Sequence, residues 1–170
     1  IEGQNFSALN GGPVFKFNPS ISFFVYCKTE KQVDEMFNKL SKDGKVMMAL
    51  DKYPFSERYG WTADKFGVSW QIMLAPDKSG ITPCFLFVKE SLGKAEAAVK
   101  FYTSIFKKSK INQMKIYGKG QGGKHGTVMF SSFNLEDQEF SAMDGEGPHD
   151  FAFNSAISFV VNCKDQKEVD

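Results

Sequence analysis

The sequence has few of the residues that build metal centres and disulfide frameworks: among 170 residues there are two histidines and three cysteines. Cys27, Cys84 and Cys163 show neither the spacing of a disulfide framework nor that of a zinc site, so we expect reduced thiols and a cytoplasmic location. His125 and His149 lie in separate Gly-containing loops without ligand spacing. They are predicted to be surface residues, the alternative being that His149 or Asp150 borders the mouth of a binding site.

An excess of charge and a long apolar run are also missing. Lys and Arg number 21 against 20 acidic residues, a net charge of +1, so no nucleic-acid partner is expected. No apolar run approaches the ~20 residues of a membrane-spanning helix, and no signal-peptide pattern is present, so no membrane partner is expected. With 42% hydrophobic residues the chain can bury one sizeable core. It begins with Ile1, consistent with a chain trimmed at its start.

The sequence repeats itself at long range. Residues 6–11 return as residues 140–145, at an offset of 134 positions, and residues 21–23 and 27–28 return as residues 157–159 and 163–164, at an offset of 136. A repeat of this length exceeds any solenoid unit, so it indicates duplicated domains.

Hydrophobic periodicity predicts two helices. Val33, Met36, Phe37 and Leu40 occupy one helical face, with a capping box at Thr29 and Gln32 and a stop at Gly44. A second helix is predicted over 93–106. Its apolar stripe is expected to contain Ala95, Ala98, Tyr102 and Ile105, with Ala97 and Phe101 beside it.

Short segments rich in Phe, Val and Ile, bounded by Gly, Asn, Asp or Pro, predict eight strands. They cover residues 21–26, 46–50, 59–64, 68–74, 82–88, 111–117, 127–134 and 138–143. A turn-rich joint at residues 76–80 separates strand, helix and three strands from a second set in the same order. The predicted fold class is therefore α+β, with two βαβββ modules.

Three stretches carry a family resemblance: residues 6–13 (Phe-Ser-Ala-Leu-Asn-Gly-Gly-Pro), residues 59–71 around Asp-Lys-Phe-Gly, and the helix ending at residues 101–106. They resemble the PhnB-like branch, also labelled 3-demethylubiquinone-9 3-methyltransferase-like, of the vicinal oxygen chelate superfamily, which includes glyoxalase I, bleomycin-resistance proteins and extradiol dioxygenases. The resemblance implies paired βαβββ modules that form a half-open, curved antiparallel barrel.

The resemblance also implies a permuted order of modules. Residues 1–9 would end a first-type module, 10–75 form a second-type module, 76–80 a linker, 81–145 a first-type module, and 146–170 begin another second-type module. Strands at residues 4–9 and 156–162 would then lack neighbours within the chain. Because unpaired apolar strands attract other chains, a homodimer is expected, with domain swapping as a low-cost route.

Metalloenzymes of the superfamily hold a divalent ion with His and Glu side chains inside the barrel. Carried over to this sequence, those positions fall on Ser20 (Ala156 in the repeat), on Gln71 and near Pro83, and the fourth cannot be placed. A hydroxyl, an amide and a proline bind a divalent ion poorly, so neither a metal nor another cofactor is expected.

A pocket is still predicted where the barrel opens. If Ser20 and Gln71 face inward, strand alternation turns their neighbours inward too. The predicted ligand-pocket residues are Ser20, Ser22, Phe24, Trp61, Ser69, Gln71 and Met73. The alternative is that these side chains only fill a narrow barrel. Trp61 either stacks on a ligand or packs beneath residues 54–59.

Two functions remain open from the sequence. The first is a metal-independent protein that binds a small organic molecule, like resistance proteins that sequester a drug. The alternative is a metal-dependent lyase, isomerase or dioxygenase of the same superfamily. The sequence assigns no catalytic residue.

Overall fold

The computed structural model describes residues 3–169. Its strands are β1 (Ile21–Cys27), β2 (Lys45–Tyr53), β3 (Ser56–Ala63), β4 (Ser69–Leu74), β5 (Gly80–Phe87), β6 (Lys110–Ile116), β7 (Val128–Leu135) and β8 (Gln138–Asp144). The helices are α1 (Glu30–Ser41), α2 (Ala95–Ile105) and the short α3 (Gln166–Val169), with a 3₁₀ turn at Lys89–Ser91. All eight predicted strands and both predicted long helices are present, within a few residues of the expected bounds.

The eight strands form one mixed sheet in the order β2-β3-β4-β1-β5-β8-β7-β6. Each module contributes four neighbouring strands, and the modules meet where β1 runs antiparallel to β5. The first strand of each module pairs in parallel with its last strand, β1 with β4 and β5 with β8. Strands β2 and β6 lie at opposite edges, so the sheet stays open. The predicted α+β class and paired βαβββ modules are confirmed.

Helix α1 begins and packs as its sequence predicts. The Thr29 hydroxyl accepts a hydrogen bond from the backbone N–H of Gln32, and the Gln32 side chain accepts one from the backbone N–H of Thr29. Val33 and Phe37 are buried against the sheet. A Cβ on Gly60 would lie 2.5 Å from the Phe37 ring, so glycine at this point of β3 allows the helix to approach.

Helix α2 buries a stripe that differs from the predicted one. Ala95 and Val99 are fully buried, whereas Phe101 is 60% and Ile105 56% exposed. The expectation for Ile105 was wrong because the stripe runs through 95, 99 and 102, at spacings of four and three residues, and turns away from the sheet at the last turn. Tyr102 packs against the core as expected.

The start of α2 is held by a residue from another strand. Lys94 precedes the helix without a capping side-chain hydrogen bond. Instead, Asp144 at the end of β8 accepts hydrogen bonds from the backbone N–H groups of Gly93 (2.6 Å), Ala95 (3.4 Å) and Val128 (2.8 Å). One buried carboxylate therefore joins β8, β7 and α2.

The core consists of two hydrophobic clusters on the helix side of the sheet. One cluster lies beneath α1 and contains Phe23, Val25, Cys27, Val33, Phe37, Ile72 and Ile81. The other lies beneath α2 and contains Phe87, Ala95, Val99, Val128, Phe133, Phe140 and Ala142. Alternate residues of each strand face the opposite side of the sheet, where the third cluster lies.

The strands expected at residues 4–9 and 156–162 do not form among the described residues. The reason lies at the junction of the modules. Strand β5, which would accept a copy of β1 or of β8, already has β1 on one side and β8 on the other. The outermost residues of the predicted terminal segments, 1, 2 and 170, lie outside the described part.

None of the helices in the described part of the chain is both long enough and apolar enough to cross a bilayer. The three cysteines all lie within that part and none forms a disulfide.

Candidate functional site

The candidate site is the concave face of the sheet, opposite the helices. Its buried centre consists of Phe24, Tyr26, Tyr59 and Cys84, with Met48, Tyr53, Trp61, Met73, Ala75, Phe130 and Met143 packed around them. Phe24 on β1 and Phe130 on β7 have ring centroids 6.3 Å apart, although two strands lie between them. In a flat sheet strands three places apart would be separated by roughly 14 Å, so the sheet curves around this face.

Gln71 stands at the middle of a buried hydrogen-bond network. Its amide oxygen accepts a hydrogen bond from the Tyr59 hydroxyl at 2.6 Å, and its amide nitrogen donates one to Ser22 Oγ at 2.7 Å. All three residues are buried. The network joins β3, β4 and β1 without a formal charge.

Small polar side chains continue from this network across the junction of the modules. In the pairing of neighbouring strands, Ser22 lies directly opposite Cys84, and Cys84 lies opposite Ser141. Ser141 in turn lies opposite Ser132. The row therefore crosses β1, β5, β8 and β7 on the concave face. Ser141 Oγ is buried and makes no hydrogen bond within 3.5 Å, although the Tyr26 hydroxyl lies near enough to interact with it.

Burial disfavours ionisation of the two phenols and the thiol at the centre of this face. It raises the pKa of the Tyr59 phenol and of the Cys84 thiol above their ordinary values, and the Ser22 hydroxyl offsets part of the rise at Cys84. Burial, and next the Glu139 carboxylate, raise the pKa of the Tyr26 phenol. The centre of the face is therefore neutral at physiological pH.

An ion pair lies at one end of this neutral surface. Lys78, in the joint between the modules, forms an ion pair with Glu139 at 2.5 Å, and its ammonium lies 3.9 Å from the centroid of the Tyr26 ring. Glu139 belongs to β8 and Tyr26 to β1, so this contact connects the two modules.

The predicted pocket residues are placed as follows. Phe24, Trp61 and Met73 belong to the concave cluster, and Ser22 and Gln71 to its hydrogen-bond network. Trp61 Nε1 donates to Ser69 Oγ at 2.8 Å, so its indole is fixed by Ser69.

Ser20 lies just before β1 and is buried. It lines a crevice with Asn18, Ile21, Asn154, Ala156 and Ile157.

Sequence reasoning missed half of the face. Tyr59, Tyr26 and Cys84 are at its centre, and Ser141 and Thr82 complete it. Tyr26 could have been found from the sequence, because the alternation along β1 that turns Ser22 and Phe24 to this face continues to Tyr26. The others required the register between strands, because only the pairing of β5 with β1 and β8 brings Cys84 and Ser141 to the same row.

The residues at the superfamily's metal positions do not fit a divalent ion. Both ends of the Gln71 amide are occupied by Tyr59 and Ser22, and Pro83 offers no side-chain donor atom. In the described part of the chain no three His, Cys, Asp or Glu side chains are grouped so that they could hold a metal ion.

A second depression lies on the outer surface, away from the concave face. It has a volume of about 240 Å³ and is lined by Lys39, Leu40, Lys42, Asp43, Asp64, Lys65 and Phe66. Asp64 is engaged by its own loop, since it accepts hydrogen bonds from the backbone N–H groups of Phe66 and Val68 and from Trp70 Nε1.

Comparison with known families identifies the family of the chain. The family described as 3-demethylubiquinone-9 3-methyltransferase matches residues 1–73 and 79–170. The chain belongs to this family. It is thus a member of the PhnB-like branch, and the resemblance seen in the sequence is confirmed. The family description names a methyltransferase, but the loops from β1 to α1 and from β5 to α2 are not the Gly-rich turns typical of nucleotide-like cofactor sites.

Solved structures include several similar chains. The PhnB protein from Bacillus cereus is 48% identical over 38% of this chain and 50% of its own, with a TM-score of 0.37. Glyoxalase I from Zea mays is 14% identical over 74% of this chain and 43% of its own, with a TM-score of 0.45. A glyoxalase/bleomycin resistance protein/dioxygenase superfamily member from Vibrio splendidus is 12% identical over 74% of this chain and 97% of its own, with a TM-score of 0.45.

The chain spans about half the length of the Bacillus cereus protein and of a Staphylococcus aureus protein that it also matches, 50% and 45% respectively. No curated protein sequence matches the chain.

Proposed function

We propose that the chain is a metal-independent protein that binds a small, uncharged organic molecule on the concave face. The observation that carries this proposal is the row of small buried polar side chains, Ser22, Cys84 and Ser141, next to the Gln71 network and walled by aromatic and Met side chains. Apolar walls with a few fixed polar groups are typical of sites that orient organic ligands. The Ser141 hydroxyl, which makes no hydrogen bond within 3.5 Å, is a group that a ligand would satisfy.

The neutrality of the face selects the chemistry of the ligand. The Tyr26 and Tyr59 phenols and the Cys84 thiol remain protonated, and Lys78 is already paired with Glu139. An anionic ligand would find no unpaired cation in this row and would lose its hydration on burial. Uncharged aromatic or aliphatic molecules with one or two hydrogen-bonding groups are therefore favoured.

The test is a thermal-shift screen of uncharged and anionic organic compounds, with and without a chelator. At a given concentration, a ligand that binds more tightly raises the melting temperature further, and we expect uncharged compounds to do so equally in both buffers. Stabilisation that disappears with chelator, together with stoichiometric bound zinc, nickel, manganese or iron, would instead support the metal-dependent lyase, isomerase or dioxygenase.

Two glutamine-to-alanine variants test whether the Gln71 network contacts the ligand. Gln71→Ala removes an amide from the network and should weaken ligand binding several-fold, since one hydrogen bond contributes on the order of 1 kcal/mol. Gln121→Ala is the matched control, because Gln121 is an exposed amide in the loop between β6 and β7. Equal binding by both variants would exclude Gln71 as a ligand contact.

We also propose a cytoplasmic homodimer that exchanges its terminal segments, with the module boundaries predicted from the sequence. Apolar side chains are exposed in both segments, among them Phe6, Leu9, Phe159, Val160 and Val161. Burying such surface between two copies would stabilise a dimer. Light scattering should give twice the 19.1 kDa of the chain, whereas a monomer at tens of micromolar would contradict the dimer.

A further inference from the structure

The chain contains a second copy of the β1 sequence. Residues 15–28 and 151–164 are identical at nine of fourteen positions. The β1 residues that alternate toward the helix layer return unchanged in the second copy: Ile21, Phe23, Val25 and Cys27 become Ile157, Phe159, Val161 and Cys163. The second copy therefore keeps every side chain that β1 uses to pack against the helix side of the sheet.

The two copies begin at the same place in the fold. Asn18 Nδ2 donates a hydrogen bond to the carbonyl oxygen of Ala152 at 3.0 Å, and Asn154 Nδ2 donates one to the carbonyl oxygen of Lys16 at 2.9 Å. Asn18 and Asn154 are repeat equivalents, and so are Lys16 and Ala152. The contact is reciprocal, as across a two-fold axis, so both segments leave from one point beside the β1–β5 junction.

The second copy also already touches the strand beside which β1 lies. Phe159 packs edge-on against Phe85 of β5 and Phe140 of β8, with ring centroids 5.4 and 5.2 Å apart. The repeat equivalent of the Phe140–Phe159 pair is Phe6–Phe23, which has the same T-shaped geometry at 5.4 Å. Phe159 therefore contacts Phe140 of β8 in the same way that Phe23 of β1 contacts Phe6. Phe6 belongs to residues 6–11, the earlier copy of the β8 sequence.

No strand is formed by residues 157–163 in the described structure, and Val160 and Val161 are 81% and 58% exposed. A segment with the sequence of a buried central strand, left without strand neighbours, tends to pair with a sheet edge. The edge that fits its sequence is the one on β5 that β1 now occupies.

The two copies differ on the concave side. Ser22 is kept as Ser158, but Phe24 is replaced by Val160 and Tyr26 by Asn162. Phe24 and Tyr26 are the stacked aromatic side chains that fill the middle of the concave face. With smaller side chains at both positions the same face would contain a cavity.

We propose that residues 157–163 form a second strand of the β1 type, which pairs with β5 in place of β1, and that this form carries an open pocket lined by Val160 and Asn162. The pocket accepts an uncharged molecule about the size of one aromatic ring, which the Asn162 amide orients by a hydrogen bond. The pocket rests on the proposed binding of a small molecule, and the exchange gives a defined strand position to the terminal segment that the proposed dimer exchanges.

Disulfide trapping tests the exchange. In a Cys27→Ala, Cys163→Ala background, Ser158→Cys places a thiol opposite Cys84 only when the second strand occupies the position of β1, because Ser22 is the Cα partner of Cys84 in β1. We expect oxidised glutathione to link Cys84 to the introduced thiol, as it does in the reference variant Ser22→Cys. Ile157→Cys is the control, since its side chain faces the other side of the sheet and should not react with Cys84.

A second pair of introduced cysteines tests the exchange independently of the disulfide geometry at Cys84. Thr82 is the Cα partner of Phe24, so Val160→Cys with Thr82→Cys, in a chain also carrying Cys84→Ser, tests the neighbouring rung of the ladder. A disulfide at either rung, within one chain or between two, supports the exchange. Failure at both rungs, with exposed thiols still reactive, overturns it.

The pocket is tested separately with indole as the probe. The oxidised Ser158→Cys protein, fixed in the exchanged form, should be stabilised by indole in a thermal-shift measurement, and the reduced protein much less. An equal response of the two forms would overturn the pocket while leaving the trapped exchange intact.

Discussion

At the scale of single residues, the concave face depends on neutral side chains that satisfy one another. Gln71 both accepts from Tyr59 and donates to Ser22, and all three lie where water does not reach. Removing one member of such a network leaves the others with unsatisfied polar groups, which costs more than the hydrogen bond alone contributes. Glutamine at this position therefore has a structural role whether or not a ligand is bound.

Gln71→Ala is expected to lower the free energy of unfolding by about 2–3 kcal/mol, because it leaves the Tyr59 and Ser22 hydroxyls buried without their partner. Urea denaturation monitored by Trp fluorescence measures the loss. Gln113→Ala, on an exposed edge strand, should change stability by less than about 0.5 kcal/mol. Similar effects of the two variants would show that the network contributes little.

At the scale of secondary-structure elements, α2 depends on a side chain that is distant in sequence. Its own start carries Lys94, which provides no cap, whereas Asp144 accepts from Gly93, Ala95 and Val128. A carboxylate at a helix N-terminus also interacts favourably with the helix dipole. The helix is therefore fixed to the sheet at the end where its first turn needs acceptors.

Asp144→Ala should destabilise the protein by roughly 3 kcal/mol or more, since hydrogen bonds to a charged group contribute about 1.5–3 kcal/mol each and the donors would remain buried. Hydrogen exchange should show the largest loss of protection in the first turn of α2. Asp137→Ala, in the exposed turn between β7 and β8, is the control and should leave that protection unchanged. Uniform loss of protection across both modules would contradict a local role.

At the scale of the whole molecule, the neutral face makes stability dependent on alkaline pH. Tyr26, Tyr59 and Cys84 have raised pKa values in the fold, chiefly because they are buried. The folded protein thus keeps protons that the unfolded chain releases above about pH 8.5 for the thiol and about pH 10 for the phenols. The stabilisation that these protonated groups contribute is complete below the pKa values of the unfolded chain and is lost as the pH rises above them.

The free energy of unfolding should accordingly stay level near neutral pH and fall above about pH 9, by up to about 1.4 kcal/mol per pH unit for each group that titrates only when unfolded. Tyr59→Phe should make the fall of the free energy of unfolding with pH less steep above about pH 10. Tyr117→Phe, at a partly exposed position near the glycine-rich loop, should leave this fall unchanged. Identical slopes in the wild type and both variants would rule out burial of the Tyr59 hydroxyl as a cause.

The sequence by itself determined the elements and their order. The spacing of Val33 and Phe37 predicted α1, the Thr29–Gln32 capping box predicted its start, and the Phe- and Val-rich segments predicted all eight strands. These signals are local, because helix and strand periodicity and capping depend on residues within a few positions of one another. The face of β1 toward which Ser22 and Phe24 point follows from the same alternation.

Only the tertiary structure decided which distant residues meet. The register between β1, β5 and β8 placed Cys84 and Ser141 beside Ser22, and the fold brought Asp144 to the start of α2. It also decided which copy of the β1 sequence forms the central strand. Residues 21–27 and 157–163 have nearly the same local propensities, so local sequence could not distinguish them. Residues 21–27 are followed directly by α1 and pair with β4 of the same module. Residues 157–163 remain outside the sheet because β1 and β8 occupy both edges of β5.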